Sequence, residues 1–319
     1  MLIYSIVVTF NAAKWLDKCL GSLVNSSILT KILVIDNKST DGTTDQIRSK
    51  FPSVEIIETG QNLGFGKANN IGLNRALNEN ADYVFLLNQD AWVEIDTIQK
   101  LVSAQDQDYG ILSPVHLNGQ GNALDFKFAH YLVNSLTADF ISDIFFNRVK
   151  PLYGMQYVNA AAWLLNMKCI ETVGGFDSSF FMYGEDDNYM QRVKYYGFKI
   201  GICPEARIYH DRECRDNRTL EKYPGQISQM IDFRDLNKSL FIQSIMFIIS
   251  QIKAILKSLL LFRMRNTIIN LKTMFNVIGS FPEIVASRNQ AKHRCAFLLS
   301  KRVQPSIVDT GRWFWKWQA

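Results

Sequence analysis

The sequence contains no CxxC pair. Its five cysteines (Cys19, Cys169, Cys203, Cys214 and Cys295) are odd in number and widely scattered. That pattern argues against a disulfide framework or a cysteine-rich zinc site and favours a reducing cytosol. No basic leader or small-residue cleavage site goes with the first apolar stretch, MLIYSIVVTFN, so a signal peptide is not expected. The GxGxxG dinucleotide pattern is missing, since Gly64, Gly66 and Gly72 have the wrong spacing, and no P-loop GK[ST] occurs. A long uncharged apolar run is missing too. A spanning helix needs about 20 such residues, and the best candidate, Leu240 to Phe262, carries Lys253 and Lys257. Most of the chain also lacks excess positive charge: residues 1 to 234 hold 22 Lys and Arg against 27 Asp and Glu. An acidic body of this kind argues against a nucleic-acid surface.

What is present is a chain of 319 residues with 47% hydrophobic residues, enough for one large domain or for an ordinary one with an appendage. Its organising stretch is VFLLNQD, Val84 to Asp90. A short continuous apolar run reads as a strand buried on both faces, and it stops abruptly on Asn88, Gln89 and Asp90. In open α/β sheets ligands sit beyond the carboxyl ends of the strands, where a carboxylate is able to hold a hard divalent cation against a diphosphate; a plain polar turn is the competing explanation.

Upstream, Ile3 to Phe10, Ile32 to Ile35 and Val54 to Glu58 read as strands. Helices are predicted over Ala12 to Val24, after Ser39-Thr40-Asp41, and from the turn Asn62 to Gly72 to about Asn78. The β-α alternation predicts a mainly parallel sheet with helices on both faces. The glycine-rich turn opening a helix suits close approach of backbone to a ligand, with free N–H groups for a phosphate. Downstream, Ile95 to Ala104 reads as a helix and Tyr109 to His116, Tyr157 to Leu165, Ile200 to Pro204 and Ala206 to His210 as strands; residues 118 to 150 show no clear period. Gly184-Glu185-Asp186-Asp187-Asn188 opens a helix directly after an aromatic run. Such a place either desolvates a carboxylate and keeps it basic or merely complements the helix N-terminus. His210 ends its strand as Asp36 and Asp90 end theirs.

Taken together, these stretches resemble the inverting glycosyltransferases of family 2, in particular the bacterial rhamnosyltransferase-like branch. The likeness runs over residues 1 to 215 and five motifs in order. VVTFN (Val7 to Asn11) resembles the first nucleotide-contacting strand end and VIDNKSTDGT (Val34 to Thr43) the pyrimidine-reading segment. NLGFGKANNIG (Asn62 to Gly72) resembles the nucleotide-sugar loop, LLNQD the branch's LLNPD, and FFMYGEDDN the stretch usually seen as GEDVD. Asn188 stands where that last pattern has Asp. The resemblance implies a GT-A fold, and it implies donor contacts from Thr9, Phe10, Asn11, Asp36, Asn37, Ser39, Asn62, Gly64, Phe65, Gly66, Asn69, Asn70 and Asn88. It further implies Mg²⁺ or Mn²⁺ held by Asp90 and His210, and a general base at Asp186, with Glu185 beside it; whether Glu185 or Asp187 substitutes for Asp186 stays open.

The division expected is a glycosyltransferase domain over residues 1 to 235 and a basic amphipathic helical region over 236 to 319. The latter holds 13 Lys and Arg against 2 Asp and Glu, the composition of a segment lying on an anionic membrane. Apolar residues recur at helical spacing from Leu240 to Phe262, and Arg312-Trp313-Phe314-Trp315-Lys316-Trp317 adds headgroup-seeking side chains; a helical hairpin packed on the domain or on a second subunit is the competing reading. The expected activity is transfer of L-rhamnose from dTDP-rhamnose to a saccharide acceptor, lipid-linked, in surface-polysaccharide synthesis at the inner face of the cytoplasmic membrane. The alternatives are another donor, UDP-hexose or UDP-galactofuranose, and a non-catalytic nucleotide-sugar-binding scaffold.

Overall fold

A computed structural model describes residues 1–132, 138–212 and 224–299. The first half alternates strictly: β1 (Ile3–Thr9), α1 (Leu16–Val24), β2 (Lys31–Asp36), α2 (Thr43–Lys50), β3 (Glu55–Glu58), α3 (Phe65–Asn78) and β4 (Tyr83–Asn88). Side chains of one strand point alternately to two faces, and here both faces are covered. Tyr4, Ile6, Leu33, Ile35, Val84 and Leu86 pack with Ala68, Leu73 and Ala76 of α3. Ile3, Val7, Val34, Phe85 and Leu87 pack with Leu16, Cys19, Leu20 and Leu23 of α1. That two-sided burial is why these strands are continuous apolar runs.

The chain continues through β5 (Ala91–Val93), α4 (Thr97–Ser103), β6 (Tyr109–Asn118), α5 (Phe126–Tyr131), α6 (Ala138–Phe145), β7 (Tyr153–Gly154), β8 (Ala162–Asn166), α7 (Met167–Val173), α8 (Glu185–Tyr195) and β9 (Lys199–His210). Among the described residues all strands join one sheet in the order β3-β2-β1-β4-β8-β6-β9-β5, with β7 on β9. Pairing is parallel from β3 to β4 and between β6 and β9, and antiparallel where β8 lies between β4 and β6. The sheet is thus mainly parallel on the amino-terminal side and mixed beyond β4.

Two elements differ from the sequence expectation. The two short strands expected around Pro204 are one, β9; its register on β6 jumps from Pro114↔Cys203 to Val115↔Arg207, a bulge that accommodates a proline with no N–H for the ladder. Conversely, β8 starts at Ala162 rather than Tyr157. The amides of Val158 and Ala160 are engaged by α8, on Met190 Sδ and Asp186 Oδ2, and are lost to the sheet.

The carboxyl-terminal part forms α9 (Pro224–Arg234), α10 (Leu240–Leu260) and α11 (Met264–Gln290). The end of α11 and the chain after it return to the sheet domain. Ser287 Oγ donates to Asp177, Tyr196 Oη to the carbonyl of Ala291, Cys295 N to that of Glu171 and Gly175 N to that of Ala296. Residues 312–317 lie outside the described residues, as does Cys214. The four described cysteines are free thiols.

Asn70 links three of these layers. Its Oδ1 accepts from Phe176 N at 2.7 Å and its Nδ2 donates to Phe176 O at 2.8 Å and to Phe297 O. Asn70→Ala should therefore lower unfolding free energy by about 2–4 kcal/mol, the cost of leaving a buried N–H and C=O unpaired. Urea unfolding of the two proteins checks this, and an unchanged midpoint would remove Asn70 from the scaffold.

Candidate active site

The site begins at the carboxyl end of β4. After Asn88 the chain turns through Gln89 and Asp90 into β5, whose Ala91 pairs antiparallel with His210 at the end of β9. That register sets Asp90 beside His210: Nε2 lies 3.5 Å from Asp90 Oδ1, and both side chains are buried, 2–3% exposed. The other ring nitrogen, Nδ1, has no hydrogen-bond partner and lies 3.7 Å from Oδ2 of buried Asp125. Asp125 Oδ2 also accepts from Arg212 Nε at 2.5 Å, while its Oδ1 caps α5 at Phe128 N. His116 packs edge-on to His210 and stacks on Phe128. Burial, then the neighbouring His210 and Arg212, push the pKa of His116 well below the usual imidazole value, so it stays neutral.

A carboxylate with an imidazole is an incomplete donor set, and among the described residues no group of three or more His, Cys, Asp and Glu gathers. It fits a hard cation that takes only one or two protein ligands and completes its shell with phosphate oxygens and water. With Nε2 turned to Asp90, Nδ1 faces the Asp125 carboxylate, the kind of group that orients a ligating imidazole.

The residues expected to meet the donor fall into two groups. At the rim, the Asp36 carboxylate accepts from Thr9 Oγ1 and Ser39 Oγ on one oxygen and from Ser39 N on the other. Asp36 is buried and anchors the wall. Exposed Asn11, at φ 52°, and Thr40 stand above it, joined by Thr40 N donating to Asn11 Oδ1. Phe10 is exposed, and its backbone N–H and C=O are both held by the Gln89 amide, which latches the end of β1 to the β4 turn. Asn37 bridges to the glycine loop, donating to Gly64 O and accepting from Leu63 N, and Asn62 Oδ1 accepts from Gly64 N.

The second group serves the fold. A Cβ on Gly64, at φ 79°, would collide with the carbonyl of Phe181, and one on Gly66 would press on Phe176. Phe65 meets Phe176 edge to face. Asn69 Nδ2 donates back to Phe65 O, and the amide of Asn70 belongs to Phe176. The close approach that requires glycine here is therefore to the protein's own 176–181 segment. The side-chain amides of Asn69 and Asn70, expected at the donor, are engaged in these internal bonds.

Opposite lies the acidic start of α8. Asp186 Oδ2 accepts from Tyr157 Oη at 3.1 Å and from Ala160 N at 3.5 Å, and Oδ1 accepts from Asp187 N. Next to it, Ala161 O accepts from Asn88 N. One dipeptide, Ala160-Ala161, therefore ties the candidate base to the end of β4. The small side chains of Ala160, Ala161 and Ala162 are buried. Burial raises the pKa of all three acids. Glu185 goes to about 8 and Asp187 to about 7, each helped by the charge of Asp186, and Asp186 itself is raised. Of the three, Asp186 is the one with donors aimed at its carboxylate from outside its own helix. Glu185 is 6% exposed with an unpartnered buried Oε2. Asn188, at the position where an Asp was expected, accepts from the buried Arg192, whose other N–H groups go to Val173 O and Gly175 O. Tyr157, Asp125 and Gln89 were not foreseen. Tyr157 sits in the predicted strand, and Asp125 in the stretch without a period.

The model of a family described as Glycosyl transferase family 2 matches residues 5–155, the span that carries the β4 turn and its Asp90. The chain is a glycosyltransferase that resembles family 2 over this span. This transferase is 23% identical over 211 residues to the dTDP-rhamnosyl transferase RfbF of Shigella flexneri, covering 65% of this chain and 68% of that one. It is 26% identical over 237 residues to an N-acetylglucosaminyl-diphospho-decaprenol L-rhamnosyltransferase of Mycobacterium tuberculosis, covering 65% and 75%. Among solved structures it resembles the mannosyltransferase PcManGT of Pyrobaculum calidifontis, in complex with GDP-Man and Mn²⁺, at TM-score 0.52 and 18% identity over 73% of this chain and 61% of that one. It also resembles TarS 1-349 of S. aureus in complex with UDP-GlcNAc, at TM-score 0.54 and 13% identity over 76% and 69%. The fold of the transferase is GT-A, as its motifs implied.

Two outcomes follow from the acidic cluster. Because the folded state holds a proton on Glu185 that the unfolded chain has released, stability falls as pH rises between about 4.5 and about 8, by up to about 1.4 kcal/mol per pH unit. Glu185→Gln should therefore melt close to wild type at pH 5 and above it at pH 8, and parallel melting curves across that range would contradict the burial argument. Removing the hydroxyl that donates to Asp186, in Tyr157→Phe, destabilises the ionised carboxylate; the acidic limb of the pH–rate profile should move to higher pH, with about a tenfold loss of kcat below it.

Proposed function

We propose that this enzyme transfers L-rhamnose from dTDP-rhamnose, with inversion, to a lipid-linked saccharide at the inner face of the cytoplasmic membrane. One observation carries the mechanistic part: Asp186 and the β4 end that leads to Asp90 hang on consecutive residues, Ala160 and Ala161. That juxtaposition supports a crevice in which donor diphosphate and acceptor hydroxyl meet. The rhamnosyl donor is supported by the two rhamnosyl relatives, and the lipid-linked acceptor by the mycobacterial one, whose name specifies a diphospho-decaprenol.

In this reading Asp186 takes the proton of the acceptor hydroxyl as its oxygen bonds to the anomeric carbon. The diphosphate leaves from the opposite face with the bonding pair. General-base help of this kind is worth about 10²–10⁴-fold in rate, and Tyr157 and Ala160 N keep the carboxylate aimed while it changes charge. Asp90 and His210 would hold Mg²⁺ or Mn²⁺, which as a Lewis acid neutralises charge on the departing diphosphate. Thr9, Asn11 and Ser39, braced by Asp36, form the rim proposed for the pyrimidine, and Asn37, Asn62 and Gly64 the edge that follows it.

The test is donor-induced thermal stabilisation combined with transfer assays. dTDP-rhamnose with Mn²⁺ should raise the melting temperature, by an amount equivalent to about 2.7 kcal/mol at a hundredfold excess over the dissociation constant, and EDTA should cancel most of it. Asp186→Asn should keep that shift and lose about 10²–10⁴-fold in transfer, whereas Asp90→Asn should lose the metal dependence itself. A shift confined to UDP-glucose or UDP-galactofuranose would reassign the donor. No shift with any nucleotide sugar would sink the catalytic reading.

A further inference from the structure

The hairpin of α10 and α11 is amphipathic in the opposite sense to a soluble hairpin. On α10, the side turned to α11 and α9 carries Gln243, Ser244, Phe247, Gln251, Ala254 and Ser258, half-buried or buried. Several of these make polar contacts inside the helical layer: Gln243 Nε2 to Asp232 O, Ser244 Oγ to Leu240 O, and Asn270 Nδ2 of α11 to Ser258 Oγ. The oxygens of Gln243 and Gln251 are buried there without a partner. The side facing outward is the apolar one: Phe241, Ile242, Ile245, Ile248, Ile249, Ile252, Leu256 and Leu259 are all exposed, Phe241 at 74%. The stripe continues over the connection, Leu260 to Phe262, and onto α11 at Met264, Ile268, Phe275 and Ile278. A helix of 21 residues is about 31 Å long, so the exposed apolar surface is far larger than the few hundred Å² a soluble monomer leaves open.

Charge narrows what covers it. Lys253 and Lys257 border the apolar stripe on α10, and Arg263, Arg265 and Lys272 follow on the connection and α11, all exposed. The described part of this hairpin, residues 240 to 281, contains no Asp or Glu. A second copy of the same face would bring these cations against each other, whereas anionic headgroups complement them. Long basic side chains at the edge of an apolar stripe reach the headgroup layer while their stems cover hydrocarbon. By length and composition α10 is long and apolar enough to cross a bilayer, but flanking lysines in its middle suit a helix lying in the surface plane better.

We infer that the α10–α11 hairpin is a monotopic anchor whose outward face seats in an anionic lipid leaflet. This deepens the membrane reading of the proposed function and depends on neither donor nor chemistry. The anchor is joined rigidly to the catalytic side. Asp177, nine residues before Asp186, accepts from Ser287 of α11 and faces Arg234 Nε at 3.7 Å, and Arg288 binds the carbonyls of Phe233, Asp235 and Lys238 at the turn into α10. The crevice is thereby held at a fixed height over the lipid surface, the position needed for an acceptor whose lipid stays in the bilayer.

The test uses the full chain and flotation on vesicles of phosphatidylcholine alone or with phosphatidylglycerol, without any nucleotide sugar. Binding is expected on the anionic vesicles. The outward triple variant Ile245→Glu/Ile249→Glu/Ile252→Glu, whose side chains touch no core, should lose at least tenfold in vesicle affinity while its melting temperature and its donor-induced shift stay those of wild type. Lys253→Gln/Lys257→Gln should lose about fivefold per lysine on anionic vesicles, from about 1 kcal/mol each, and little on neutral ones. Two results would overturn the inference: no binding to either vesicle, or a dimer in light scattering that the triple variant splits, which would give this face to a second copy. Failure of the glycosyl-transfer assay with intact vesicle binding would count against the chemistry alone.

Discussion

Two hydrogen bonds on neighbouring residues join the two sides of the site: Ala160 N to the Asp186 carboxylate and Asn88 N to Ala161 O. They sit where the chain approaches the antiparallel strand β8, which enters the sheet between β4 and β6. The bond of Asn88 N to Ala161 O continues the β4–β8 register by one residue, and the amide of Ala160 next to it turns to Asp186. Were the strand to begin at Tyr157, as its composition invites, the Ala160 amide would no longer be directed at the acidic turn of α8. The late start of one strand thus decides where the base stands.

Around this point the packing leaves no slack. The turn before α3 and the segment before α8 lie so close that Gly64 and Gly66 admit no side chain against Phe181 and Phe176, and Asn70 closes the gap with a paired amide. Interiors packed to this density transmit displacement instead of absorbing it. The turn before α3 and the start of α8 therefore behave as one body, which suits the displacement proposed above: nucleophile, anomeric carbon and leaving group have to be aligned within small tolerances.

Much of this was legible in the chain. Strict alternation of apolar strands and amphipathic helices up to Asp90 gave the parallel half, because burial on both faces writes itself into every residue of a strand. The acids at strand and helix ends stood out for the same reason, as abrupt polar stops. The mixed half was harder. Pro204 split one strand into two apparent ones, and Asp125 and Tyr157 act through His210 and Asp186, partners 85 and 29 positions away that no local period reveals. The glycine loop shows another limit. Glycine reports that something comes close and not what, and at Gly64 and Gly66 the close neighbours include the protein's own Phe181 and Phe176.

The C-terminal hairpin shows why a periodic pattern leaves its meaning open. An apolar stripe predicts a helix with one buried face, and the period is indifferent to whether protein or lipid does the burying. The decision lies in the other face. On α10 that face is polar and turned inward, an arrangement that is costly in water because the apolar side remains wet. It becomes favourable where hydrocarbon covers that side and polar side chains serve as contacts between helices. The ion pair of Asp177 and Arg234, with Ser287 and Arg288 beside it, fits the same logic. Buried charge is a poor source of net stability. What it fixes is orientation, and here it fixes the angle between a helical layer and the segment that leads to the base.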